Sequence, residues 1–121
     1  MLPNNNLFNK AYKFAIRTVR AYQFLTNEPK EFILSKQLLR SGTSIGANIA
    51  EANGAISDAD FWHKISIAYK EGLETKYWIS LLRDTDYLES KVADSLLSDA
   101  DEITKICFSV LKTTRIDKKD K

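Results

Sequence analysis

The chain is poor in the residues that fix most small folds by chemistry. One cysteine, Cys107, excludes an internal disulfide and any cysteine cluster for a metal. One histidine, His63, leaves no Glu-x-x-His repeat of the kind that holds paired metals in helical bundles. Two prolines and four glycines are too little punctuation for an all-β protein built on many tight turns. No apolar run approaches the roughly 20 residues of a membrane span. Met1-Leu2-Pro3-Asn4-Asn5-Asn6 carries no basic segment leading into an apolar one, so a soluble, cytoplasmic protein is expected. Glycine-rich phosphate loops are missing too, since Ser41-Gly42-Thr43-Ser44 lacks the lysine that follows the glycine in a P-loop. His63 has no serine or cysteine nucleophile at local spacing. These gaps predict neither catalytic site, cofactor nor metal, and a chain that is not an enzyme.

What is present is helical periodicity. At 121 residues the chain is long enough for one domain and one core. Apolar residues recur at steps of three and four, which predicts helices over about 6–27, 30–54, 57–83 and 89–114, with the charged tail 115–121 frayed. The inward residues are expected to be Leu7, Ala11, Phe14, Ala15, Val19 and Tyr22 on helix one. On helix two they are Leu38, Ile45, Ile49, Ala52 and Ile56. Phe61, Ile65, Ala68, Thr75, Ile79 and Leu82 face inward on helix three, and Val92, Leu96, Ala100, Ile103, Cys107 and Val110 on helix four. Cys107 is then a buried, inert thiol. Ser57, three residues before Asp60, reads as a capping box. Helices of matching length joined by short turns predict an all-α, antiparallel up-down-up-down four-helix bundle.

Helix two has a second stripe beside its apolar one. Arg40, Ser44, Asn48 and Glu51 follow the same spacing, and Ser41, Gly42, Ala47 and Ala50 between them would let another helix come close. Arg40 and Glu51 lie about 16 Å apart along the axis, too far to pair, so each is expected to bond to a neighbouring helix or subunit from a buried position.

Charge is unevenly placed although the net is only +2. Met1 to Asn27 contains no acid, and Lys10, Lys13, Arg17 and Arg20 form one basic stripe on helix one. Asp84 to Glu102 holds seven acids against Lys91 alone. Two readings follow. The stripe either tracks nucleic-acid phosphates, more so if an oligomer multiplies it, or is answered by the acids of helix four. No base-reading module is visible. Helix three adds Trp62, Tyr69, Tyr77 and Trp78, more aromatic surface than one bundle can cover, which predicts a subunit interface.

Arg40 to Glu51, R-S-G-T-S-I-G-A-N-I-A-E, resembles the R-x-x-x-S-I-x-x-N-I-A-E signature of small four-helix-bundle proteins encoded in intervening sequences of bacterial 23S ribosomal RNA genes, a family of unknown function. Phe61 to Leu82 is similar to that family's third helix, with Ile67-Ala68 and Leu73-Glu74 in register. Two departures stand out: Ala52 and Asn53 intervene before Gly54, and Glu71 occupies a position where a small residue is common. The resemblance adds Glu74 to the polar stripe. It implies a homo-oligomer, with a pentamer as the copy number, related to an accessory protein of diversity-generating retroelements that binds a reverse transcriptase and nucleic acid. The partners it implies are copies of the chain itself, RNA or DNA, or a nucleic-acid-processing protein. The competing reading is a purely structural protein-interaction oligomer.

Overall fold

A computed structural model describes residues 6–119, which form four helices: α1 (Asn6–Asn27), α2 (Leu34–Asn53), α3 (Asp58–Asp84) and α4 (Ser90–Lys119). Among the described residues α1 packs on α2, α2 on α3, α3 on α4 and α4 on α1, with no contact across the diagonals, so the helices stand at the corners of a square. No helix of the described residues is long and apolar enough to cross a membrane.

The helix ends follow local chemistry. α2 begins at Leu34 rather than near Lys30, because the Glu31 carboxylate accepts from the Ile33, Leu34 and Ser35 N–H groups (3.1, 2.9 and 2.6 Å) and holds the preceding residues out of the helix. Lys30 turns the chain at φ 55. Ser57 Oγ accepts from the Asp60 N–H at 3.0 Å and the Asp60 carboxylate from the Ile56 N–H at 3.3 Å, the expected capping box shifted outward by one residue. At the end of α3, Asp86 takes the left-handed region (φ 67), and the Tyr87 and Leu88 N–H groups donate back to the Leu82 carbonyl. α4 runs past Thr114 to Lys119, so 115–119 continue the helix rather than fray; positions 120–121 of the expected tail lie outside the described residues.

The core of α3 is as read, with Phe61, Ile65, Ala68, Thr75, Ile79 and Leu82 all buried. On α1 the buried stripe is Leu7, Ala11, Phe14, Thr18, Ala21 and Leu25. Val19 is exposed, and Ala15 and Tyr22 are only partly covered, since the buried line passes through a threonine that hydropathy alone rejects. Thr18 is accommodated because its hydroxyl donates to the Phe14 carbonyl at 2.9 Å. Ile56 is 94% exposed, because α2 stops at Asn53 and its apolar periodicity has no helix left to ride on. Val92 is exposed and Val110 partly so, while Leu96, Ala100, Ile103 and Cys107 are buried. Burial pushes the Cys107 thiol up to about 12.

Close approach of the helices rests on small residues facing threonines. A Cβ built on Gly72 would lie 2.2 Å from Thr104 Cγ2, and one on Gly42 2.6 Å from Thr18 Cγ2. Thr75 Oγ1 donates to Ser41 Oγ at 3.0 Å, tying α3 to α2 within the core. No buried side-chain polar atom among the described residues lacks a partner. Ser41 and Gly42 therefore serve the role expected of them, whereas Ala47 and Ala50 face solvent and Gly46, set against the Ala11 backbone, takes their place.

Candidate functional site

α4 is the electrostatic hub of the bundle. Lys10 reaches Glu102 at 3.3 Å and Arg17 reaches Asp99 at 2.7 Å, joining α1 to α4. From the other side Lys76 pairs with Asp101 at 2.8 Å and Arg83 with Asp94 at 3.0 Å, joining α3 to α4. The acid-rich segment is thus answered along both flanks. These pairs are partly exposed and screened by solvent, so they add little stability and serve mainly to set register.

The basic stripe is split by this arrangement. Lys10 and Arg17 are engaged with α4, while Arg20 only donates to the neutral Gln23 side chain at 3.1 Å and Lys13 has no ion pair among the described residues. A surface of four free cations is not present.

The polar stripe of α2 makes the inter-helix bonds expected of it, but at the surface. Arg40 donates to Glu71 at 3.3 Å and to Glu74 on α3, and the Trp78 indole N–H donates to Glu74 at 2.9 Å. Glu71, the departure from the family pattern, therefore turns toward Arg40, and the close helix contact is made by its neighbour Gly72. Glu51 pairs with Lys64 of α3 at 2.7 Å. Asn48 donates to the Ser44 carbonyl within its own helix at 2.9 Å. Glu51 and Arg40 are exposed rather than buried, because the stripe lies on the outer edge of the α2–α3 contact. Glu51→Ala is accordingly expected to change stability by no more than about 1 kcal/mol, read from urea midpoints.

Two carboxylates give the bundle an acid-sensitive side. Burial opposes ionisation of Glu31, but the N–H donors of Leu34, Ser35 and Ile33 outweigh it and hold the group below its ordinary 4.5. Hydrogen bonds from Lys76 and Lys105 bring Asp101 from 3.8 down to about 2. Both groups are more acidic in the folded chain, so their stabilisation is complete above the unfolded values and fades as pH falls from about 4.5 toward 2. The urea midpoint should drop across that window, and Glu31→Gln with Asp101→Asn should flatten the drop.

The aromatic residues assigned to an interface divide in two. Trp62, Tyr69 and Trp78 are partly covered and pack against the core, while Tyr77 is 60% exposed. Beside it on the outer surface of α3 and α4 lie Leu73 (44% exposed) and Phe108 (53% exposed), the latter with its ring 5.8 Å from that of Tyr69. Leu73 lies at the surface, as helical spacing on α3 places it with Trp62, Tyr69 and Tyr77 away from the core stripe; sequence reading missed only Phe108 as a surface group, whose position next to the buried Cys107 was the available signal. A second apolar surface, a groove of about 430 Å³ between α1 and α4, holds Ile16, Phe24, Val92 and Leu96.

His63 is exposed on α3, and among the described residues no hydrogen bond joins it to Glu51 or Glu74. No group of three His, Cys, Asp or Glu among them could hold a metal ion.

The family model for 23S rRNA-intervening sequence proteins matches residues 3–109. No curated protein matches the chain. Among solved structures, the chain is similar to a protein of unknown function from the S23 ribosomal protein family of Bacteroides thetaiotaomicron, determined at 1.70 Å. The two are 51% identical over 88% of this chain and 98% of that one, with a TM-score of 0.86. The R-x-x-x-S-I-x-x-N-I-A-E run, the square of four helices and these matches agree, and the chain belongs to the 23S rRNA-intervening sequence protein family.

Proposed function

We propose that the protein is a non-enzymatic, cytoplasmic scaffold that assembles with copies of itself through the outer face of α3 and α4. The observation that carries this reading is the exposed apolar set Leu73, Tyr77 and Phe108, next to the half-covered Tyr69. Large apolar groups adjacent on one surface are costly in water and characteristic of interface centres. The resemblance implies a pentamer, five times the 13.8 kDa chain. Leu73→Lys with Phe108→Lys should convert the assembly to a single chain while leaving helicity intact, because both side chains already face outward. Retention of the wild-type mass in that variant would remove this face from the assembly.

Nucleic-acid binding is the second reading, favoured by the outward Lys13 and Arg20 and weakened by the pairing of Lys10 and Arg17 with α4. Two available cations predict a log–log salt slope of only about −2 per chain for duplex DNA. Titration of RNA and DNA from about 50 mM salt upward checks it. A slope near −4, abolished when Lys10, Lys13, Arg17 and Arg20 are all exchanged for Gln, would restore the full stripe as a phosphate-tracking surface.

A further inference from the structure

The groove between α1 and α4 is apolar along its floor and charged along its edges. Its floor, from Ile16 to Phe24 on one wall and with Val92 and Leu96 on the other, extends about 12 Å, two helical turns. Arg20 lies on the α1 edge, and Lys13, seven residues earlier, lies on the same edge of that helix. Arg17 is neutralised by Asp99, and Glu89 lines the α4 side. An apolar floor two turns long, with Arg20 on one rim and Lys13 on the same side of α1 about one turn before the floor begins at Ile16, is unsuited to a phosphate backbone, which has no apolar face. It matches a helix that presents apolar residues at i, i+3 or i+4, and i+7, with carboxylates along one side.

We propose that this groove receives an acidic amphipathic helix of another protein, its carboxylates meeting Lys13 and Arg20 and its neutral or basic edge meeting Glu89. A second copy of the chain is poorly equipped for the role. Its helix-face acids are already held: Glu51 by Lys64, Glu71 and Glu74 by Arg40, Asp94 by Arg83, Asp99 by Arg17, Asp101 by Lys76 and Lys105, and Glu102 by Lys10. Glu28, Asp58, Asp86 and Glu89, which make no ion pair among the described residues, sit in connections or at helix ends and form no row. The inference does not depend on self-association through α3 and α4.

The test uses the full chain and a synthetic helical peptide of about four turns, with leucines at i, i+4 and i+7, glutamates along one side and a fluorophore for anisotropy. A twin peptide carries lysines in place of the glutamates. The acidic peptide should bind at least about tenfold more tightly than its twin. Lys13→Glu with Arg20→Glu should reverse the preference, and Val92→Lys or Ile16→Lys, both at exposed positions, should abolish binding with helicity unchanged. Equal binding of the two peptides, absence of binding, or indifference to the reversed charges would overturn the proposal. So would an assembly mass that falls on Val92→Lys alone, which would show a second copy in the groove.

Discussion

Gly72→Ala should destabilise the bundle by about 1–2 kcal/mol, against the usual gain from placing alanine in a helix. The added methyl would sit 2.2 Å from Thr104 Cγ2, and Thr104 cannot swing away freely because it is β-branched, buried and donating to the Asp101 carbonyl at 2.9 Å. Thr104→Ser removes that methyl and keeps the hydroxyl. The double variant should therefore recover most of the lost stability, a non-additivity that thermal or urea denaturation measures directly. Additive losses would mean that α3 and α4 are held apart by something other than this contact.

Ile45→Ala should cost more, about 2–5 kcal/mol, because Ile45 is fully buried and its Cδ1 lies within 3.9 Å of where a Gly72 Cβ would stand. It belongs to α2 and reaches the Gly72–Thr104 contact between α3 and α4, so the cavity would open where three helices meet. A loss below about 1 kcal/mol would show that the crossing collapses to fill the space. The same residue occupies the Ile of the S-I-x-x-N signature, and its central position gives that run a packing reason.

The parts of the fold legible in the sequence were those set by strong periodicity and local hydrogen bonding. α3 shows both: its inward positions keep helical spacing from Phe61 to Leu82, through Gly72 and Thr75, and the Ser57–Asp60 cap fixes its start. α1 was displaced because Thr18 is polar in composition and apolar in behaviour once its hydroxyl is bonded to Phe14. The start of α2 was missed because Glu31 acts through a long side chain folded back on the backbone, a contact that no spacing rule encodes. The stripe Arg40, Ser44, Asn48 and Glu51 was legible as a set, and its partners were not. Whether Arg40 is buried depends on how far α3 overlaps α2, a tertiary quantity. The basic stripe was likewise legible, but its division between α4 and solvent follows from which edge of α1 faces Asp99 and Glu102.

Self-association through the outer face of α3 and α4 is best tested by the mass of the unmodified protein in solution, measured by light scattering across micromolar concentrations. The exposed Leu73, Tyr77 and Phe108 predict a stable species at a whole-number multiple of 13.8 kDa, and the proposal taken from the family resemblance sets that multiple at five. A single chain of 13.8 kDa throughout that range would contradict the account.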